Sequence, residues 1–276
     1  MDLMDGYLPE PGTTQNRFAG EMMVSTEPLI HAEHISRTYE LAGEKVHAVR
    51  DITMDVHRGV FIAFVGRSGS GKTTLLNLLA GLDSPTEGSV IFEGRDLSTF
   101  NENDMVDLRR HRLGFVFQSF GLLPLLSAYE NVELPLRISG VASGERSRRT
   151  KEVLEIVGLM RRSKHRPYEL SGGEQQRVAI ARAIAMKPSL ILADEPTGEL
   201  DSTNAQSIFG LFQEMVREEG MSIVATTHDQ TLLDMADEVH RMHDGQIEST
   251  WTLADDVDPE NPHARFMPPV PTESTT

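Results

Sequence analysis

Val60-Phe61-Ile62-Ala63-Phe64-Val65-Gly66-Arg67-Ser68-Gly69-Ser70-Gly71-Lys72-Thr73-Thr74-Leu75-Leu76-Asn77-Leu78-Leu79-Ala80-Gly81 is the stretch that decides the fold. Its first six residues form a continuous apolar run bounded by Gly59 and Gly66, the pattern of a strand buried on both faces. Its second half places Leu75, Leu76, Leu78, Leu79 and Leu82 on one helical stripe, with Gly81 suited to the exit. Between the two, Gly66 to Thr73 fits the pattern Gly, four residues, Gly-Lys-Ser/Thr. Glycines there let backbone N–H groups point into one concavity, and the start of the helix adds partial positive charge, so the loop suits phosphate. Lys72 offers a mobile cation to the outer phosphates, and the Thr73 hydroxyl can ligate Mg²⁺. A plain Gly-rich turn is the bland alternative, and the full pattern in its strand–turn–helix context argues against it.

Working outward, Ser189 to Ala193 and Ser222 to Thr226 read as two more buried strands, with a helix over Thr203 to Arg217 between them. Such alternation predicts an α/β fold with a mostly parallel sheet and helices on both faces. Residues from about 119 to 185 read as mostly helical, strongest over Glu145 to Val157 and Glu174 to Met186, and are expected to form a helical insert. Residues 1–27 carry Pro9, Pro11 and Gly12 with little apolar periodicity and read as a flexible lead-in. Residues 251–276 are acidic and Pro-rich and are expected to lack packed structure of their own. The folded unit is then 28–250.

Composition narrows the function classes. Lys and Arg number 26 against 42 Asp and Glu, a formal net charge of −16, which argues against a duplex-DNA binder. There is no Cys, which excludes a disulfide scaffold, a cysteine nucleophile and a Cys-ligated zinc site. The longest apolar runs fall far short of the roughly 20 residues of a membrane helix. The acidic start Met1-Asp2-Leu3-Met4-Asp5 lacks the features of a secretory signal. The expected location is the cytoplasm, with any membrane work done through a protein partner, because an anionic inner leaflet repels an acidic chain.

Leu190-Ile191-Leu192-Ala193-Asp194-Glu195 puts two carboxylates at the C-terminal end of an apolar strand, the edge where open α/β sheets bind ligands. Asp194 is expected to hold Mg²⁺ directly or through water, and Glu195 to orient and deprotonate an attacking water. A solvated strand end before Pro196 is the alternative when this pair is read alone. Leu170-Ser171-Gly172-Gly173-Glu174-Gln175-Gln176-Arg177 contains a capping box, Ser171 at the N-cap with Glu174 three residues on. That does not account for two glycines in a first helical turn, where each costs up to about 1 kcal/mol. Bare amides beside the Ser171 hydroxyl make a second anion half-site.

On these residues the chain resembles the nucleotide-binding subunit of an ATP-binding-cassette (ABC) transporter: Leu170 to Gln176 matches that family's signature in full, and the motif order covers nearly all of 28–250. The resemblance implies a P-loop NTPase (RecA-like) core with an antiparallel β edge subdomain beside the helical insert. It implies that two copies pair head to tail, each ATP lying between the loop of one (Gly66, Arg67, Ser68, Gly69, Ser70, Gly71, Lys72, Thr73, Thr74) and the signature of the other (Ser171, Gly172, Gly173, Glu174). Tyr39 then matches the aromatic that stacks on adenine, and Gln118 the glutamine that senses Mg²⁺ and the attacking water. Asp201 matches the loop crossing the dimer interface, and His228 the histidine that contacts the γ-phosphate. Lys72, Gln118, Glu195 and His228 would be the catalytic set; Thr73, Gln118 and Asp194 would serve Mg²⁺.

The segment Gln118 to Leu136 is similar to the lipoprotein-release and macrolide-export group (LolD-like, MacB-like), with FtsE as a close relative. It is an apolar stretch beside Gln118 that could form a groove for a partner's short amphipathic helix, although ordinary core packing accounts for many of its leucines. The resemblance implies an ATP-hydrolysing motor that drives a separate membrane permease of the MacB, LolC or FtsX kind, with an extracytoplasmic adaptor as a further possible partner. It would sit on the inner face of the cell membrane through that permease. An FtsE-like signalling ATPase that moves no substrate is the alternative. A soluble DNA-repair or translation ATPase and a small-molecule kinase fit less well: the chain has one cassette and no heptads, and a kinase has no use for 170–177.

Overall fold

The structure is a computed structural model that describes residues 27–41, 43–228, 233 and 235–252. Nearly all of the expected lead-in and tail, together with Asp229, therefore lie outside the described residues. In chain order the first half runs β1 (Ile30–Leu41), β2 (Glu44–Val56), β3 (Phe61–Val65), α1 (Lys72–Leu79), β4 (Glu87–Phe92), β5 (Arg95–Asp96), α2 (Glu102–His111) and β6 (Leu113–Val116). The second half runs α3 (Ala128–Ile138), α4 (Ser143–Ile156), α5 (Gly172–Ile184), β7 (Leu190–Asp194), α6 (Ser202–Glu219), β8 (Ser222–Thr227), β9 (Glu238–His243) and β10 (Gln246–Thr252).

β3 is buried along its whole length, and side-chain alternation divides it between two cores. Ile62 and Phe64 join a cluster with the leucines of α1 and the inner faces of β1, β2 and β4. Phe61, Ala63 and Val65 join a second cluster with α3 to α6. Such a strand survives only as the middle of a layered fold. It lies between β8 and β9, both parallel to it, in a six-stranded sheet of order β10-β9-β3-β8-β7-β6 whose single antiparallel member is the edge strand β10. A separate antiparallel sheet, β2-β1-β4-β5, covers α1 from the other side. The architecture is the α/β P-loop arrangement expected, with an antiparallel β subdomain and a helical subdomain flanking the parallel core. Each large apolar side chain fully buried in these clusters, such as Phe64 or Phe209, contributes roughly 1.5–3 kcal/mol.

Some expectations shift. Leu82 is not on the buried stripe of α1: the helix ends at Leu79, Gly81 turns the chain at φ +60°, and Leu82 is 46% exposed. Residues 117–127 are not helical; α3 starts only at Ala128, with Ser127 and Glu130 as a capping box. Buried Asn131 holds that loop open: its side-chain amide donates to the carbonyls of Leu123, Leu126 and Ser127, and its carbonyl accepts from Leu123 N–H. β10 includes Trp251 and Thr252, so the sheet reaches two residues into the stretch expected to be tail.

Candidate functional site

Close approach of a neighbouring backbone dictates two of the glycines in the loop after β3, Gly66 and Gly71. A Cβ on Gly71, whose φ is +100°, would lie 2.1 Å from the Ala48 carbonyl oxygen on β2. One on Gly66 would lie 2.4 Å from the Met242 carbonyl oxygen on β9. The first bond of α1 runs from Leu75 N to the Gly71 oxygen, leaving the amides just before it as open helix-start donors. Lys72 is buried and curls over the loop, donating to the carbonyls of Gly66 at 2.8 Å and Arg67 at 3.1 Å. Ser70 Oγ is buried without a partner among the described residues. Arg67, Ser68, Gly69 and Thr73 are exposed, and Thr74 is half-buried.

The carboxylate pair meets this loop. Asp194 closes β7, and its carboxylate accepts from Thr73 Oγ1 at 3.0 and 3.2 Å and from Thr226 Oγ1 on β8 at 2.6 Å. Glu195 follows with φ +45°, a left-handed conformation that costs a non-glycine residue of order 1–3 kcal/mol. Its N–H donates to Thr226 Oγ1 at 2.9 Å, and its carboxylate lies 3.6 Å from His228 Nδ1. Gln118 sits against the next turn, where a Cβ on Gly198 would approach its Nε2 to 3.0 Å. Lys72, Thr73, Asp194, Glu195, His228 and Gln118 are thus gathered at one sheet edge from β3, β6, β7 and β8. The oxygens of Asp194 and Thr73 suit Mg²⁺, which binds through one or two carboxylates plus substrate phosphates and keeps several waters. Among the described residues no cluster of three or more acidic or histidine side chains makes a metal cage.

The signature stretch stands apart. Ser171 caps α5, exchanging bonds with Glu174, whose carboxyl is held below its ordinary value first by the Ser171 N–H and also by Arg162. Among the described residues no hydrogen bond or ion pair joins 171–174 to 66–74. Gly173 has a local reason: a Cβ there would lie 2.5 Å from Asn204 Oδ1, and Asp201 pins that side chain at 2.7 Å. Asp201 itself is the N-cap of α6, accepting from Asn204 N–H at 2.9 Å. The Tyr39 hydroxyl donates to Asp83 at 2.6 Å, and the Arg37 guanidinium lies 4.6 Å from the centre of its ring.

Two groups were not singled out from the sequence. Thr226 ties the Asp194 carboxylate to the Glu195 backbone N–H, and its only signal is a polar residue ending an apolar strand. Buried Gln176 donates to the Pro196 carbonyl at 2.6 Å and so links α5 to the turn after Glu195; the signature stretch contains it, but nothing in the pattern marks its bond.

The sequence profile of the family described as ABC transporter matches residues 49–198. The chain belongs to the ABC transporter ATP-binding family. It is 48% identical over 212 residues to an uncharacterized ABC transporter ATP-binding protein of Thermotoga maritima, covering 77% of this chain and 90% of that one. It is 42% identical over 233 residues to the macrolide export ATP-binding/permease protein MacB of Brucella melitensis, covering 84% of this chain but 36% of that protein. The dimeric post-hydrolysis structure of the ATP-binding cassette MJ0796 of Methanocaldococcus jannaschii, bound to ADP and Pi, superposes with a TM-score of 0.76 at 38% identity, over 81% of this chain and 98% of that one. The cassette is therefore an ATP-binding ATPase subunit of an ABC transporter. Among the described residues no helix is long and apolar enough to cross a membrane.

Proposed function

We propose that the cassette is the motor of a lipoprotein-release or macrolide-export type transporter, closing head to tail on a second copy around two ATP molecules with Mg²⁺ and driving a separate permease. One observation supports this reading: Lys72, Thr73, Asp194, Glu195 and His228 converge at one edge, while Ser171 to Glu174, the capped start of α5, make no hydrogen bond or ion pair to that edge among the described residues. A pocket missing one wall calls for a second chain. Lys72 and the amides of 66–74 hold the phosphates and stabilise charge developing on the γ-phosphoryl group. Glu195 accepts the proton of the attacking water; Gln118 and His228 orient water and γ-phosphate. Ser171 and Gly173 of the partner copy would complete the phosphate shell, Asp201 lies on the loop that would cross the interface, and Tyr39 offers its ring to adenine. Asp194, Thr73 and Gln118 would hold Mg²⁺, which neutralises charge on the phosphates.

The permease contact is proposed at a groove of about 470 Å³ beside Gln118, with Phe115, Phe117 and Ile138 as apolar lining. Arg109, Arg110 and Arg182 also line it, and none has a carboxylate partner among the described residues. The Arg182 guanidinium donates to the Phe120 and Gly121 carbonyls, and burial holds it below its ordinary value. This chemistry fits a short amphipathic permease helix bearing carboxylates, and it would hold the cassette at the inner face of the membrane. Any extracytoplasmic adaptor would bind the permease. Glu195→Gln tests the motor: turnover should fall by at least about 100-fold while ATP traps a dimer on size exclusion. Undiminished turnover would remove Glu195 from its role.

A further inference from the structure

We infer that Thr226 is the positioning residue of the catalytic edge: one hydroxyl orients Asp194 and Glu195 together. This rests on the roles proposed for those carboxylates and goes beyond them.

The geometry is a directed chain. Glu195 N–H donates to Thr226 Oγ1 at 2.9 Å, and that hydroxyl spends its single proton on Asp194 Oδ1 at 2.6 Å. Thr226 is fully buried, so water does not replace either bond. Asp194 and Thr226 are direct partners in the parallel β7–β8 ladder, and the ladder ends at this pair. Past it the Glu195 amide has left the β7–β8 ladder. The Thr226 side chain supplies an acceptor, and the chain turns out of the sheet at φ +45°. The turn aims Glu195 toward His228 rather than along the strand.

The other donor to Asp194 is Thr73. With Mg²⁺ bound, Thr73 would be drawn to the ion, and Thr226 would be the side-chain hydroxyl still fixing the Asp194 carboxylate. A valine of nearly the same shape would fill the space but leave the Glu195 N–H unpaired and Asp194 one donor short. The cost should fall on the chemical step and on the Mg²⁺-dependent part of nucleotide binding. The phosphate loop is built from other bonds and should keep its Mg²⁺-free affinity.

The test compares wild type, Thr226→Val and Thr226→Ser for kcat, KM and ATP affinity, the last measured by titration calorimetry with Mg²⁺ and with EDTA. Thr226→Val should lower kcat by about tenfold, the worth of one charge-assisted bond. It should lose at least about threefold of the affinity that Mg²⁺ adds, with EDTA affinity within about twofold of wild type. Thr226→Ser should restore both to within about threefold. Should Val not fold by circular dichroism, Thr226→Ala takes its place. Wild-type kcat and Mg²⁺ dependence in the Val variant would overturn the inference, as would a Ser variant as impaired as Val with both melting normally. Glu195→Gln in the same series separates the failures. If it turns over freely, the proposed function is wrong; if it is dead while Val is fully active, only the role of Thr226 is wrong.

Discussion

His240 makes acid a specific threat to this fold. Its ring lies in β9, stacked on Phe64 with centroids 5.0 Å apart, and burial pushes its pKa from 6.5 down to about 4. Its Nδ1 is paired with Thr250 Oγ1 at 2.7 Å. Its Nε2 is 3.1 Å from a Glu238 oxygen but out of bonding alignment, and burial raises Glu238 itself, so that carboxylate is a poor counter-ion. Arg50, Asp51, Asp55, His57, His243 and Glu248 are the other ionisable groups lining this cleft. The folded pKa is depressed, so the unfolded chain takes up the proton first. The stabilisation is complete above pH 6.5, falls as pH drops below it, and stops falling below about 4. At about 1.4 kcal/mol per pH unit the whole loss is about 3 kcal/mol, of which about 2 kcal/mol is gone by pH 5. Urea unfolding followed by the single tryptophan, Trp251 in β10, reads this locally. Other groups titrate too, so the quantity to measure is wild type minus His240→Gln. That difference should shrink by about 2 kcal/mol between pH 7.5 and 5. A difference constant to within about 0.5 kcal/mol would refute a neutral buried imidazole.

Two further substitutions bear on the nucleotide pocket. Gly71→Ala forces a side chain onto a φ of +100° and to 2.1 Å from a backbone oxygen. ATP binding by calorimetry should be lost and the melting temperature lowered, and unchanged affinity would mean the loop geometry is not what holds the phosphates. Ser171→Ala removes the N-cap of α5, which should cost about 1 kcal/mol in urea unfolding. It should cut ATPase turnover while leaving ATP affinity of the isolated monomer unchanged; weakened monomer binding would put Ser171 in the same pocket as Lys72.

What could be read from the residues follows from range. β3, the glycine loop and α1 are contiguous, and local pattern specifies them. β7 and β8 are continuous apolar runs, as central parallel strands must be. β1 and β2 escaped a pattern reading because they alternate with His, Glu and Arg and bend where His34 and Asp51 adopt φ of +50° and +49°. The antiparallel subdomain came only through family resemblance. The two signature glycines looked like a ligand feature alone, because the Asn204 contact that excludes a side chain at Gly173 comes from α6, an element distant in sequence. Thr226 and Gln176 were invisible as site residues for the same reason: their partners, Asp194 and Pro196, lie on other elements.

The central claim is that each ATP pocket is shared between copies, and mixing two dead variants tests it most directly. Lys72→Ala lacks a working phosphate loop, and Ser171→Arg blocks the signature. Mixed dimers should hold one complete pocket, so a one-to-one mixture should recover up to about a quarter of wild-type turnover. A mixture no more active than either variant alone would contradict a pocket built from two chains.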